Sequence, residues 1–304
     1  MTEKKTQFDA AARAEILVEA LPYIRRFRGA TVLVKYGGAA MVDENLKRAV
    51  CTDLVLMEHV GMRPVVVHGG GPEISRTAKR LGVESKFIEG QRVTDADTLW
   101  VVEMVLSGHV NRQIVTGISQ AGGRACGVMG KDNRLITARK RAAGPQPDGT
   151  EVPDMGFVGE VESINPEIIE ILQARDIIPV VSPIGPDGSG QAYNINADTV
   201  AAAIATALPA DKLILLTDAP GVCQDPERPE TLIRRIAVGE VEGMIADGTV
   251  SGGMIPKVRS AVEALEAGVG RVHILDGRVE HSLLLELFTD EGVGTLIHRD
   301  DDFE

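Results

Sequence analysis

The chain carries a lysine that closes an apolar run and opens into paired glycines, Thr31-Val-Leu-Val-Lys35-Tyr36-Gly37-Gly38. About thirty residues later comes a run of the same form without the lysine, Pro64-Val-Val-Val-His68-Gly69-Gly70-Gly71. Glycine lets backbone N–H groups approach an anion closely, and the N-terminus of a following helix adds the positive end of its dipole. Both turns are therefore candidate cradles for phosphate or carboxylate. Lys35 supplies a full positive charge at the first. Taken singly, each cluster is equally compatible with an ordinary strand-to-helix turn that needs positive φ. The commoner phosphate signatures are not met. The nearest approach to a Walker A loop, Gly127-Val-Met-Gly130-Lys131-Asp132, lacks the first glycine and the hydroxyl residue, and Gly69-Gly-Gly71-Pro-Glu-Ile74 misses the last glycine of a dinucleotide fingerprint.

Other polar residues stand beside similar turns. Asn194-Ile-Asn196-Ala-Asp198 opens a helical segment, where capping accounts for one of the three side chains and leaves the others over. A carboxylate there could orient cations gathered at strand ends. Lys257 follows Ser251-Gly252-Gly253-Met254-Ile-Pro256, and spacing alone reads it as a solvated residue of the next helix. Arg92, ahead of another helix, is either a solvated loop residue or, through its planar fork, a clamp for a carboxylate. Asp218-Ala-Pro-Gly221 follows Lys212-Leu-Ile-Leu-Leu-Thr217 and is either a plain polar turn or the edge of a nucleotide site. None of the six histidines forms a His-x-x-x-His pair, His68 reads as a strand terminator, and Gly117-Ile-Ser119-Gln-Ala121 fails as a nucleophile elbow. Two lysines, glycine turns and an aspartate suit a reaction catalysed by positioning and charge neutralisation. Phosphoryl transfer is that reaction.

These residues need rigid elements behind them. From Thr31 the pattern alternates: strand 31–36, helix 43–60, strand 64–68, helix 72–81. A long helical stretch from 95 to 121 follows, then irregular strands over 128–161, helix 166–174 and strand 177–182. A second unit opens at Lys212 and runs through helices near 239–246 and 254–267 to a strand at 271–275. The alternation predicts an open, mainly parallel sheet flanked by helices, with ligands at the carboxyl ends of the strands, where every glycine cluster lies. Ahead of it, apolar side chains at 8, 12, 16, 17, 20, 21 and 24 form a helical stripe that Pro22 is expected to kink. With 304 residues, 44% hydrophobic and 25% charged, the chain suits one large or two modest globular domains. A net charge of −12 and 3% aromatic content argue against a nucleic-acid surface. The scattered Cys51, Cys126 and Cys223 imply neither a disulfide framework nor a zinc site. With a polar N-terminus and no apolar run of membrane-spanning length, they point to a soluble, cytoplasmic protein.

Taken together, Val34-Lys35-Tyr-Gly37-Gly38, His68-Gly-Gly-Gly-Pro72, Gly90-Gln-Arg92-Val-Thr94, Gly156-Phe-Val-Gly159, Asn194-Ile-Asn196-Ala-Asp198 and Gly252-Gly-Met-Ile-Pro-Lys257 resemble, in order and from about residue 29 onward, the acetylglutamate kinases of the amino-acid kinase family. The resemblance implies an α/β fold, a three-layer αβα sandwich with an open, mainly parallel central sheet and an extra N-terminal helix. It divides the chain into an oligomerisation helix (1–28), an acyl-substrate half (29–208) and a nucleotide half with a C-terminal regulatory segment (209–304). The implied reaction transfers the γ-phosphoryl group of ATP to the side-chain carboxylate of N-acetyl-L-glutamate, in arginine biosynthesis. Mg2+ is expected to be held mainly by the phosphates and water, with no protein metal site. By motif match, Lys35 and Lys257 stabilise the transferring group and Asp198 holds both. Gly37, Gly38, Gly70 and Gly71 offer backbone N–H groups, Arg92 and Asn194 bind the acyl substrate, and Asp218, Gly221 and Gly253 line the nucleotide site. The leading helix and the segment Glu286-Leu-Phe-Thr289-Asp-Glu-Gly292 resemble members inhibited by L-arginine. That implies a homohexamer built as a trimer of dimers, with Tyr23, Glu286 and Gly292 at an effector site. Two alternatives stand beside this one. A kinase for acetylaminoadipate differs by one methylene, worth only about 1–3 kcal/mol of discrimination; a non-catalytic amino-acid sensor on the same fold would need neither lysine nor Asp198.

Overall fold

β-branched runs that end in glycine form the strands of one sheet, and the amphipathic segments between them form its two helical layers. The computed structural model describes residues 9–88, 90–145, 151–289 and 292–300, so Phe8 of the apolar stripe lies outside the described residues. In chain order the elements are α1 (Ala10–Phe27), β1 (Thr31–Tyr36), α2 (Glu44–His59), β2 (Arg63–His68), α3 (Gly71–Leu81), β3 (Phe87–Ile88), β4 (Gln91–Arg92), α4 (Ala96–Glu103), α5 (Asn111–Gln120) and β5 (Ala125–Met129). Next come β6 (Ile136–Lys140), β7 (Gly144–Pro145), β8 (Glu151–Val152), β9 (Val158–Ile164), α6 (Glu167–Gln173), β10 (Ile178–Ser182), β11 (Ile184–Pro186), β12 (Ala192–Ile195) and α7 (Ala197–Ala207). The chain closes with β13 (Lys212–Thr217), β14 (Arg235–Ala237), α8 (Val241–Ala246), α9 (Ile255–Glu266), β15 (Arg271–Asp276), α10 (Ser282–Phe288) and β16 (Thr295–His298).

The main sheet has eight strands in the order β14-β16-β15-β13-β1-β2-β10-β5, parallel throughout except where β16 runs against β15. β1 lies between β2 and β13, with Lys35 level with Val67 on one side and Leu215 on the other. The connections leave β1 in opposite directions, and that switch opens a crevice at the carboxyl ends of the three strands. Both faces of the sheet are buried. Val32, Val34 and Tyr36 of β1, Val66 of β2 and Ile214 and Leu216 of β13 pack with α2–α5 and α10. Leu33, Val65, Val67, Leu213 and Leu215 pack with α6, α7 and α9. The period-two alternation thus defines the sheet of a three-layer αβα sandwich. It also turns Lys35, which shares the parity of Leu33, toward the layer that contains α7.

The structure refines three expectations. The stretch expected as one long helix contains a wide, π-helical turn at Met104–Val110 between α4 and α5. Of the irregular strands, β6 and β9 join β11 and β12 in a small second sheet, β11-β12-β9-β6, with β12 parallel to β9, while β7 and β8 pair on their own. Pro22 sits inside α1, whose helix continues to Phe27. Among the described residues no helix is long and apolar enough to cross a membrane.

Candidate active site

Lys35 leaves the end of β1 on the α7 side, where Asp198 occupies the first turn of α7. Asn196 is the N-cap of that helix and accepts from the amides of Asp198 and Thr199. The Asp198 side chain is therefore not needed for capping. Asp198 Oδ1 lies 3.1 Å from Lys35 Nζ, and its Oδ2 accepts from Lys257 Nζ at 2.7 Å. Lys257 stands near the start of α9, brought there by the turn through Ser251 and Gly252 and by Pro256 in the first helical turn. One carboxylate thus holds two ammonium groups, one on each oxygen. Lys257 is tied into the site, against the solvated placement its spacing suggested.

The three charges perturb one another. Burial pulls the Lys35 pKa below its usual value; the Asp198 carboxylate opposes that shift and the nearby Lys257 charge adds to it. Burial would raise the Asp198 carboxyl, but Lys35 and then Lys257 outweigh it and hold Asp198 below the usual carboxylate range. The trio carries a net positive charge in a nearly dry site, the arrangement that stabilises negative charge most strongly.

Glycines border this charge. A Cβ on Gly37 would come 2.9 Å from Lys35 Nζ, so glycine leaves the ammonium uncovered. Gly38, at φ +70°, leaves a Cβ no room against the Asp218 carboxylate and thereby joins the turns after β1 and β13. Gly71, opening α3 beyond β2, and Gly253 both have open space where a side chain would stand. Gly221 is closed in by Thr295, whose hydroxyl accepts from the Val222 amide and donates to the Ile233 carbonyl.

Arg92 is buried in β4. It donates to Ser85 Oγ at 2.7 Å, to Ser75 Oγ at 2.8 Å and to the Gly71 carbonyl at 3.2 Å, and lies over the Phe87 ring. It therefore braces the first turn of α3. Asn194 donates to Thr94 Oγ1 at 3.2 Å, linking β12 to the start of α4. Ser75 and Ser85 were not singled out in the sequence, where isolated hydroxyls carry no spacing signal; Thr94 entered only as the last residue of the motif around Arg92.

Tyr23, Glu286 and Gly292 come together in a separate cavity of about 340 Å3 between α1, the foot of β13 and α10. Gly292, at φ +57°, packs against the Glu286 carboxylate, which pairs with His273 Nδ1 at 2.7 Å and accepts from the Val293 amide. Lys212 Nζ lies 3.0 Å from His273 Nε2 and over the Phe27 ring. Burial lowers the Lys212 pKa to about 8. The Gly292 carbonyl accepts from Arg234 at 2.6 Å. Arg26, Arg235 and Arg271 also line the cavity, which sets cations for a carboxylate beside one carboxylate for a cation.

The Amino acid kinase family matches residues 30–276. Acetylglutamate kinase from Moorella thermoacetica is 57% identical over 283 residues, covering 93% of this chain and 96% of that one. Two structures of N-acetylglutamate synthase from Neisseria gonorrhoeae each superpose over 94% of this chain. The complex with coenzyme A and N-acetyl-glutamate does so with a TM-score of 0.80 at 28% identity, and the complex with coenzyme A and L-arginine with 0.76 at 27%. This chain spans only 63% and 65% of the length of those synthase chains. The chain belongs to the amino acid kinase family and is one of its phosphotransferases, grouped by sequence with the acetylglutamate kinases.

Proposed function

We propose that the protein transfers the γ-phosphoryl group of ATP to the side-chain carboxylate of N-acetyl-L-glutamate in the cytoplasm, as a step of arginine biosynthesis. The single observation that carries this reading is the Lys35–Asp198–Lys257 bridge at the mouth of the crevice between β1, β2 and β13. A carboxylate oxygen of the acyl substrate attacks the γ-phosphorus, the bond to the bridging oxygen breaks, and ADP leaves with that electron pair. The attacking carboxylate is already ionised at neutral pH, so the step needs no general base. Its barrier is the mutual repulsion of two anions, which Lys35 and Lys257 relieve from either side while Asp198 holds their geometry. Arg92 and Asn194 shape the acyl pocket, with the amides of Gly70 and Gly71 facing the substrate. Gly37 and Gly38, together with Asp218, Gly221 and Gly253, border the nucleotide. Asp198, the buried carboxylate here, is already taken by two ammonium groups, and the described residues contain no cluster of three or more His, Cys, Asp or Glu suited to a metal. Magnesium enters as the counter-ion of the nucleotide, held mainly by phosphates and water.

In this reading residues 29–208 form the acyl half, 209–304 the nucleotide half, and 1–28 an oligomerisation helix in a hexamer of three dimers. Exposed Ile16, Leu17, Val18 and Leu21 on α1 support that last assignment, since a lone subunit leaves them uncovered. The cavity around Tyr23, Glu286 and Gly292 is assigned to L-arginine as inhibitor, its guanidinium toward Glu286 and its carboxylate toward the surrounding cations. A coupled assay of ADP release with N-acetyl-L-glutamate, acetylaminoadipate, aspartate or no acceptor tests the substrate. Turnover is expected with the first, and equal or greater kcat/KM with acetylaminoadipate would replace it.

A further inference from the structure

His68 ends β2 and is wholly buried, with the glycine turn directly after it. Its Nδ1 lies 2.8 Å from the Gly69 carbonyl oxygen and its Nε2 lies 3.1 Å from Asn111 Nδ2. The same Asn111 nitrogen is 2.8 Å from the Val180 carbonyl oxygen. A backbone carbonyl is only an acceptor, so the Asn111 atom facing it must be the NH2 group, and the second hydrogen of that group points at His68 Nε2. Nε2 is therefore the acceptor, the ring proton sits on Nδ1, and Nδ1–H donates to the Gly69 carbonyl. Asn111 is fully buried, and glycine at 127 makes room for it: a Cβ there would fall 1.7 Å from Asn111 Oδ1.

This fixes the turn. The Gly69 amide donates to the Tyr36 carbonyl of β1 at 2.8 Å, and the Gly69 carbonyl is held by the His68 ring. In a trans peptide the C=O and the following N–H point opposite ways, and the described chain has no cis bond. Drawing the Gly69 carbonyl inward onto His68 therefore turns the Gly70 N–H outward. The wide turn at Met104–Val110 closes the other side. A Cβ on Gly70 would meet Leu106 at 2.6 Å and Val110 at 3.3 Å, whereas Gly69 and Gly71 border open space.

We propose that His68 is a positioning residue: held by Asn111 as the neutral Nδ1–H tautomer, it locks the Gly69–Gly70 peptide so that the Gly70 N–H faces the anionic acyl substrate. The substrate named here rests on the function proposed above. Burial, reinforced by the nearby Arg112 charge against the opposing bond to Gly69, lowers the His68 pKa to about 4, so the tautomer persists through neutral pH. A protonated ring would turn a second donor toward the Asn111 amide.

Two measurements test this. In protein labelled with 15N at histidine, the magic-angle-spinning NMR signal that disappears in His68→Asn should be that of a ring protonated at Nδ1 only; loss of a ring protonated at Nε2 instead would overturn the proposal. In steady-state kinetics, His68→Leu should raise KM for N-acetyl-L-glutamate about ten- to hundredfold, with KM for ATP moving less than about threefold. His68→Asn, whose amide nitrogen takes the place of Nδ1, should recover most of that loss. A folded leucine variant with unchanged acyl KM, or with both KM values raised alike, would also overturn it. Should the leucine variant not fold, the asparagine variant and the wild-type tautomer still decide. A wild-type enzyme inert toward N-acetyl-L-glutamate would instead refute the functional reading, which the tautomer measurement does not depend on.

Discussion

Asp198 holds one lysine on each oxygen, so its loss and the loss of either lysine act on one unit. Lys35→Met and Lys257→Met should each lower kcat about 100- to 1,000-fold with a much smaller effect on KM, because their charges matter most as negative charge shifts in the transition state. Steady-state kinetics with both substrates varied checks this, and near-normal kcat in either variant contradicts it. Since burial depresses the Lys35 pKa, the charged form should be lost as pH rises at a value below the ordinary 10.5. A pH profile of kcat should therefore fall on its alkaline side before that point, and a limb at or above it would remove Lys35 from the role. Arg92→Lys keeps the charge but cannot span Ser85, Ser75 and the Gly71 carbonyl at once. It should raise KM for the acyl substrate and leave KM for ATP nearly unchanged, whereas equal weakening of both points to a purely structural brace.

At the scale of elements, the strands and their glycine turns were legible in the sequence because β-branched runs and glycines are local signals. The triad was less so: nothing local joins Lys35, Asp198 and Lys257, and Lys257 was recognisable through family motifs rather than spacing. The wide turn at Met104–Val110 was illegible, since one extra residue per turn does not disturb an apolar stripe enough to be read. So was the bond from His281, at the head of α10, to Asp53 in the middle of α2 at 2.6 Å. Asp53 is fully buried and His281 has a left-handed φ of +59° that this bond helps to hold. Burial raises the Asp53 pKa to about 6 despite His281, which opposes the shift. A carboxyl raised in the folded state contributes stability that is complete below its unfolded pKa and is lost as pH rises through the folded one. Between about pH 4 and 6 this group should therefore favour folding at the acid end, by an amount on the order of 2–3 kcal/mol. Thermal melts of wild type and Asp53→Asn across that window should differ in slope, the variant lacking this contribution; parallel curves would remove Asp53 as its source.

On the scale of the whole molecule, α1 is the element that the sandwich does not account for. Its last turns are anchored: Phe27 is buried in the core, and Tyr23 and Arg26 line the cavity shared with Glu286. Its earlier turns expose Leu17 at 72% and Val18 at 68%, where a helix serving only its own subunit would turn such residues inward. One helix thus reaches both an apolar surface that wants a second copy and the cavity assigned to the inhibitor. If arginine binds more tightly to one subunit arrangement than another, the helix can couple the two, because a ligand shifts an equilibrium only through differential affinity. Deleting residues 1–28 should therefore leave an active but smaller oligomer that arginine inhibits weakly or not at all. Size-exclusion chromatography with light scattering, together with an arginine titration of both proteins, checks each part. A full-length protein that is only dimeric and indifferent to millimolar arginine would refute the coupling. It would leave the Lys35–Asp198–Lys257 chemistry standing, since α1 contributes no residue to that bridge.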